Sequence, residues 1–352
     1  MAHVEIYLDR IASNAGYLRS LLKNSSIEMV AVSKVTCGDP NVVYALWEEC
    51  QNVIIGESRV DNLERLHKAG LNVETMLLRT PSADKVEIAL KHANTILVSE
   101  LSVLNFLVEK SKRKNNCFIY MVDTGDLREG VWFENAFEEL KKAVDIAGKK
   151  LTGIGTNLGC YGGVKATPDK FNILIDLGEK IRKKTGHIFK YYSAGNTASL
   201  PLVESGQCPE GINQFRLGES IICGTDATNN RDVPGTRQDT AILYGEIIEL
   251  KEKPSLPLGE IGRDAFGRKP EFVDKGWRLR AILDLGEQDV LPRSLKPLDE
   301  NLEVLHASSD HLIVDVTESE NEYKTGDHIA FNMSYGALLR VMNSKYIRKD
   351  YK

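Results

Sequence analysis

The sequence predicts a parallel (β/α)8 TIM barrel followed by a C-terminal, mostly β domain. Eight short, apolar, β-branched runs recur up to residue 217, and most of the gaps between them have helical periodicity. Strands separated by helices pair in parallel through crossovers, and eight such units suggest a closed barrel. An open, doubly wound sheet is the alternative, because strand counts from one sequence are soft.

Each run has the length of a fully buried strand. The runs are residues 29–33, 53–56, 75–78, 95–98, 117–122, 151–155, 189–192 and 212–217. Helical spacing is clear in residues 83–93, 135–147 and 170–183. The predicted domains are therefore a barrel over residues 1–235 and a β domain over residues 236–352. Prolines punctuate the second domain, whose strand-like segments are 240–250, 277–285, 312–316 and 328–331.

Composition excludes several classes of protein. The chain has 352 residues, a net charge of −5 and 42% hydrophobic residues, which is ordinary for a soluble globular protein and argues against a nucleic-acid surface. No apolar run approaches the roughly 20 residues of a membrane span, and no secretory signal is visible at the start. Six dispersed cysteines without a Cys/His cluster disfavour a metal site or a disulfide framework. Reduced thiols favour a cytoplasmic location.

Lys34 is the first candidate for chemistry, because it follows the first predicted strand directly. Functional residues of a barrel lie where strands end and loops begin. A lysine at an apolar barrel mouth loses hydration, which favours the neutral amine that a Schiff-base lysine must supply. The competing interpretation is a surface lysine whose stem covers apolar neighbours.

Three later segments place further polar groups on the same rim. The turn from Ser193 to Ser199 has the small, polar character of a phosphate-binding helix start, although a simple N-cap fits equally well. Arg216 enters the barrel and needs a partner, either a ring nitrogen or an acid such as Glu219. Arg128 could pair with a carboxylate or phenolate of a ligand, or form a surface ion pair. Together they suit pyridoxal 5'-phosphate.

The chain resembles the pyridoxal-phosphate-dependent alanine racemase superfamily of fold type III, in the branch that includes ornithine racemase. The segments that carry the resemblance are MVAVSKV, MVDTGDLREG, GIGTNLGCYGGV, SAGNTASL, RLGESI, GEIGRDAFG, RAILDLGEQDV and ASSDHLIVDV. It implies a racemase that interconverts L- and D-ornithine, acting as a head-to-tail homodimer with a shared active site. Lysine or broad basic-amino-acid racemisation, a lyase or dehydratase, and a non-catalytic cofactor carrier are the alternatives.

The resemblance also implies residue roles. Lys34 falls at the Schiff-base lysine, and Arg216 falls where an arginine faces the pyridine nitrogen. Arg128 falls where an arginine approaches the phenolic oxygen and the substrate carboxylate, and Asn157 stands where alanine racemases have a histidine beneath the ring. The resemblance implies two phosphate-binding segments and a tyrosine that bonds the phosphate. The remaining cofactor residues that it implies are Ser193, Asn196, Thr197, Gly218, Glu219, Ser220 and Tyr335.

The second catalytic base is where the chain departs from alanine racemases. Racemisation needs a proton donor on each face of the α-carbon, and Lys34 can serve one face. The family's partner-supplied tyrosine is absent from the segment 286–289, so Glu287, Asp289 and Asp310 are the candidates. Asp289 or Asp310 would also suit a substrate ammonium group. Met121 replaces another family lysine, and these departures argue against alanine as the substrate.

Overall fold

A computed structural model describes residues 1–111 and 115–352 of the chain. These residues form two compact units, Leu8–Gln238 and, separately, Met1–Tyr7 with Asp239–Lys352. The predicted domain boundary, between residues 235 and 236, stays a prediction. It did not anticipate that the first seven residues belong with the C-terminal unit.

The elements are numbered here in chain order. The strands are β1 His3–Ile6, β2 Glu28–Val32, β3 Ile54–Glu57, β4 Thr75–Leu77, β5 Thr95–Val98, β6 Cys117–Asp123, β7 Val131–Trp132, β8 Leu151–Gly155, β9 Tyr191–Gly195, β10 Gln214–Leu217, β11 Thr225–Asp226, β12 Arg231–Asp232, β13 Ala241–Pro254, β14 Trp277–Leu283, β15 Leu295–Pro297, β16 Glu303–Ala307, β17 Leu312–Asp315, β18 His328–Met333 and β19 Arg348–Tyr351. The α-helices are α1 Leu8–Lys23, α2 Pro40–Glu49, α3 Val60–Lys68, α4 Val86–His92, α5 Leu101–Lys110, α6 Ala136–Ala147, α7 Pro168–Thr185, α8 Leu200–Glu204, α9 Glu219–Ile222 and α10 Tyr335–Asn343. Within the parts of the chain described above, no helix has the length and apolar character needed to cross a bilayer.

The larger unit is a closed parallel barrel. Its eight strands follow one another in the order β2, β3, β4, β5, β6, β8, β9 and β10, and β10 pairs with β2 to close the ring. All of these pairings are parallel. The predicted barrel is confirmed and the alternative of an open sheet is wrong, because the first and last strands are hydrogen-bonded to each other.

The barrel interior is packed with side chains rather than open. Apolar residues from five successive strands form one buried cluster, which consists of Val30, Ile54, Met76, Leu97, Ile119 and Met121. Fully burying one such side chain stabilises the fold by about 1.5–3 kcal/mol. Met121, at the position of a family lysine, is 1% exposed and is therefore a core residue here. The polar chemistry lies above this layer, where the strands end.

The smaller unit is built on an eight-stranded sheet that is mostly antiparallel. Its central path runs β15, β18, β13, β14, β17 and β16. The long strand β13 pairs with both β14 and β18 in antiparallel register. The predicted β character of this region is confirmed. Strand β1 pairs antiparallel with β13 and parallel with β19, which ties both chain ends to this sheet.

Candidate active site

Lys34 lies at the carboxyl end of β2, on the rim where all eight parallel strands end. It is half-buried and begins a short 3-10 turn, Lys34–Thr36. The carbonyl of Ser33 accepts hydrogen bonds from Thr36 Oγ1 at 2.9 Å and from the Gly38 amide at 3.2 Å. These bonds fix the turn that carries the lysine.

A buried carboxyl group lies behind this turn. Ser33 Oγ donates to Glu57 Oε2 at 3.4 Å, and the Ser58 amide donates to Glu57 Oε1 at 2.6 Å. Burial raises the pKa of Glu57, although the hydrogen bond from the Ser58 amide acts to lower it. The sequence analysis did not single out Glu57. Its only signal was an acidic residue at the end of an apolar run.

Arg216 is held inside the barrel by neutral groups. Its Nη1 donates to the carbonyl and Oγ of Ser193 at 2.6 and 2.5 Å, and its Nη2 donates to the Thr156 carbonyl and Asn157 Oδ1 at 2.6 and 2.7 Å. Burial lowers the pKa of Arg216 to about 10, so it stays protonated at neutral pH. Four of its five N–H groups are thereby used. The fifth, on Nε, donates to no protein atom in residues 1–111 and 115–352.

The alternative ion pair between Arg216 and Glu219 does not form. Glu219 Oε1 instead accepts from Thr225 Oγ1 and from the Ala227 amide, both at 2.9 Å. Burial raises the pKa of Glu219. Its side chain therefore holds the turn after α9, and only its backbone at the start of that helix is available to the predicted phosphate site.

Two short helix starts come together beside these groups. Thr197 Oγ1 lies 3.0 Å from Ser220 Oγ and accepts from the Ser220 amide at 3.1 Å. The amides at a helix start have no partner within the helix and can bind a phosphate. A Cβ on Gly195 would lie 2.1 Å from the Phe215 ring, so only glycine allows this close approach. Asn196 donates from Nδ2 to the Leu158 carbonyl at 2.6 Å.

Arg128 is linked to Arg216 through two polar side chains. Its Nε and Nη2 both donate to the carboxylate of Glu129, the second at 2.5 Å. Asn157 donates from Nδ2 to the same carboxylate. Because Asn157 Oδ1 accepts from Arg216, the four side chains form one continuous chain of hydrogen bonds. Glu129 was not predicted as a site residue, because its only signal in the sequence is its place in the MVDTGDLREG segment.

The loop that carries this chain is fixed by Asp126. Its carboxylate accepts from the backbone amides of the next loop, at 2.8–3.2 Å, and is 1% exposed. The donors are Gly159, Cys160, Tyr161 and Val164. A carboxylate with four amide partners has no capacity left for Arg128. Asp126 is therefore an anchor between loops, a role that its place in the MVDTGDLREG segment does not reveal.

The remaining predicted residues lie in the C-terminal unit and differ from one another in surroundings. Arg268 Nη2 lies 2.6 Å from Glu287 Oε1, and the Glu287 side chain is 11% exposed. Asp310 is exposed and lies 3.0 Å from His311 Nδ1, which lowers the pKa of Asp310. Tyr335 begins helix α10.

Asp289 is part of the frame of this unit. It is 3% exposed, accepts from Ser344 Oγ at 2.6 Å and closes the 286–289 turn through the Gly286 amide. An inward carboxylate with these partners is typical of a structural role. Of the two acids in the 286–289 turn, Asp289 accepts a hydrogen bond from a backbone amide of the turn, whereas the Glu287 carboxylate contacts the Arg268 side chain.

The groups of the barrel fit pyridoxal phosphate. Lys34 offers an amine for the aldehyde, and Arg216 keeps one N–H for a ring nitrogen while its other donors are satisfied. The paired segments 196–199 and 218–220 offer amides and hydroxyls for the phosphate. No set of three or more metal-binding side chains is grouped in the described part of the chain.

Comparison with known proteins identifies the family. Residues 6–225 match the alanine racemase N-terminal domain. The lysine racemase of Thermotoga maritima is 46% identical over 99% of this chain and 97% of its own length. The ornithine racemase of Acetoanaerobium sticklandii is 40% identical, covering 99% and 98%. The chain belongs to the alanine racemase family.

Solved structures agree on the fold. Alanine racemase from Streptomyces coelicolor has a TM-score of 0.77 at 15% identity, covering 99% of this chain and 97% of its own. Alanine racemase from Bartonella henselae, with covalently bound pyridoxal phosphate, has a TM-score of 0.73 at 18% identity, covering 100% and 99%. Membership confirms the predicted class and cofactor: the chain is an amino-acid racemase that uses pyridoxal phosphate.

Proposed function

We propose that this chain racemises amino acids whose side chain ends in an ammonium group, namely lysine and ornithine. The observation that carries the proposal is that two relatives matching 99% of the chain are named for these two substrates. The substrates differ by one methylene, which a pocket discriminates only about 10- to 200-fold. We therefore expect both to be turned over. The preference for ornithine stays a prediction.

Chiral chromatography tests this proposal. The purified protein with pyridoxal phosphate is incubated in parallel with L-lysine, L-ornithine, L-alanine and L-serine. We expect D-lysine and D-ornithine to form rapidly and D-alanine slowly. Faster racemisation of alanine would overturn the substrate class, and release of ammonia and an oxo acid from serine would support a lyase instead.

A matched pair of lysine variants controls the same experiment. Lys34→Ala removes the amine at the strand end, and we expect racemisation to fall at least about 1,000-fold. Lys184→Ala removes an exposed lysine at the end of α7 and should leave the rate unchanged. If Lys34→Ala kept most of the activity, the assignment of the reactive lysine would be wrong.

We assign roles to the barrel residues as follows. Lys34 would hold the cofactor through its amine and would move a proton at the substrate α-carbon on one face. Arg216, which is protonated at neutral pH, would donate its remaining N–H to the ring nitrogen, which would then carry no proton of its own. Arg128 binds the substrate carboxylate. Bound pyridoxal phosphate supplies a conjugated ring that stabilises the negative charge left on the α-carbon.

We propose Glu287 as the base on the opposite face. Its side chain is 11% exposed, so the carboxylate is mostly shielded from water, and its Oε1 lies 2.6 Å from Nη2 of Arg268. Arg268 is held in turn by Asp264, to which its Nε donates at 2.8 Å. Desolvation acts to raise the pKa of Asp264, but the bonds from Arg268 and His306 lower it to about 2. Asp310, which is exposed, is the other candidate.

The proposal includes a cytoplasmic homodimer in which the C-terminal unit of each subunit completes the barrel site of the other. Light scattering of the purified protein measures the mass. Mixing Lys34→Ala with Glu287→Gln tests whether sites are shared. In a hybrid dimer one site would carry both changes and the other neither, so mixing two inactive proteins should restore about a quarter of the wild-type sites. No recovery from a mixture shown to exchange subunits would contradict shared sites.

A further inference from the structure

The carboxylate of Glu129 occupies a central position between the two arginines of the barrel mouth. Arg128 donates to it from two nitrogens, and Asn157 donates to it from the neighbouring loop. The Arg128 and Glu129 side chains are 35% and 24% exposed. An ion pair between two adjacent surface residues would be complete without the hydrogen bond from Asn157. The bond from Asn157 shows that Glu129 joins two loops.

Charge supports the same conclusion. Burial acts to lower the pKa of Arg128, but the hydrogen bond and charge of Glu129, together with the charges of Cys160 and Asp126, raise that pKa above its ordinary value. For Arg216, burial lowers the pKa, and Glu129 is the leading opposing charge. The carboxylate of Glu129 thus binds Arg128 directly and acts on the charge of Arg216 at longer range, across the Asn157 amide.

The surrounding titratable groups do not replace this carboxylate. Asp126 is occupied by four backbone amides, and Cys160 is an exposed thiol on the facing loop. Lys170 donates to the Thr124 carbonyl at 2.7 Å and adds a further positive charge near the loop. Glu129 is therefore the group that sets the direction of the Arg128 guanidinium.

We propose that Glu129 is a positioning residue that orients Arg128 for the substrate carboxylate and couples it through Asn157 to Arg216 at the cofactor ring. Gly130 makes the geometry possible, because its φ of +112° turns the backbone so closely that a Cβ would lie 2.7 Å from the Asp123 nitrogen. This inference rests on the proposed role of Arg128. It adds a residue that binds neither substrate nor cofactor itself.

Glu129→Gln tests the inference in the holoenzyme. The variant keeps the size of the side chain and removes its charge. We expect KM for the amino acid to rise about 10-fold and kcat to fall about 10-fold, the size of one lost charge-assisted hydrogen bond. Glu129→Asp keeps the charge and should recover part of the loss. Glu134→Gln, an exposed acid after the same loop, is the matched control and should change neither value.

A second measurement needs no turnover. The visible absorbance of the lysine-bound cofactor is titrated with pH in the absence of substrate. Removing a negative charge from a site with two arginines disfavours protonation of the lysine–cofactor linkage, so its pH midpoint should fall in Glu129→Gln and stay unchanged in Glu134→Gln. This readout remains valid if neither lysine nor ornithine is the substrate.

Two results would overturn the inference. In one, Glu129→Gln changes KM and kcat by less than twofold and leaves the pH midpoint unchanged. In the other, the variant has a lower melting temperature but normal kinetics and a normal midpoint, which would make Glu129 structural only. A shifted midpoint without racemisation of either amino acid would uphold the inference and contradict the proposed substrates.

Discussion

Two arginines, one in each unit, show how differently the chain surrounds a positive charge. Arg216 in the barrel has two carbonyls, a hydroxyl and an amide as partners, and no carboxylate of the described residues lies within ion-pair distance. Arg278 in strand β14 lies 2.8 Å from Asp315 and 2.6 Å from Glu318. One charge is solvated by neutral groups, and the other is neutralised.

This difference separates a site from a support. A buried guanidinium with neutral partners keeps its charge for a further group, and Arg216 also keeps an N–H for it. The charge of a guanidinium between two carboxylates is neutralised by them. Such a group joins neighbouring strands and does not attract a ligand. The barrel mouth is therefore the place for chemistry, and the sheet around Arg278 is the frame. Variants of both regions can break or sharpen that distinction.

The largest expected effect tests whether the C-terminal unit supplies only a frame. Glu287→Gln removes the proposed base while keeping its shape. We expect racemisation to fall about 100- to 10,000-fold in both directions, the usual contribution of a general base. In D2O, exchange of the α-proton should continue for one enantiomer, because Lys34 still serves the other face. Proton NMR with chiral chromatography measures both.

Asp310→Asn is the comparison for this experiment. Its carboxylate is exposed and engaged by His311, so we expect a change of only a few-fold. If Asp310→Asn lost racemisation with one-sided exchange and Glu287→Gln did not, the second base would be Asp310.

The next effect compares the two arginines directly by the same substitution. Arg216→Lys keeps the positive charge, but an ammonium group has only three N–H donors. It cannot make the four hydrogen bonds of the planar guanidinium and keep a fifth donor for the cofactor. We expect kcat/KM to fall about 10- to 100-fold and the affinity for pyridoxal phosphate to weaken. Arg278→Lys should change kcat/KM by less than twofold. Equal losses in the two variants would contradict the distinction between site and frame.

Sequence reasoning located the strand-end groups because a parallel barrel brings all strand ends to one rim. Lys34 follows a strand that the pattern predicted, Arg216 lies at the end of another, and their shared rim follows from topology. The partners of these groups could not be predicted, since Glu129 meets Asn157 only after two loops fold against each other. The same reason hid Asp126 as an anchor. Strand β1 was missed because its partners β13 and β19 lie more than 230 residues away along the chain.

A smaller effect concerns stability alone. Arg278→Ala removes the partner of Asp315, whose side chain is only 4% exposed. We expect the urea midpoint to fall clearly, because the buried Asp315 carboxylate loses its charged hydrogen-bond donor. Arg182→Ala on helix α7 breaks a half-exposed pair with Glu179 and should leave the urea midpoint almost unchanged, because water screens an exposed ion pair. Urea unfolding measures both, and a similar cost for the two would argue that burial of Asp315 adds nothing.

The smallest expected effect is the pH dependence of the stability lost in Arg278→Ala. Burial acts to raise the pKa of Asp315, but the hydrogen bonds from Arg278 and Thr317 outweigh it and lower that pKa. A depressed pKa means that the ionised form stabilises the fold above the ordinary aspartate pKa of about 3.9 and that this stability is lost as pH falls through the folded value. The difference in unfolding free energy between wild type and Arg278→Ala should therefore shrink between neutral pH and about pH 3. If the difference stayed constant over that range, Arg278 would stabilise the sheet through packing of its stem and not through its charge.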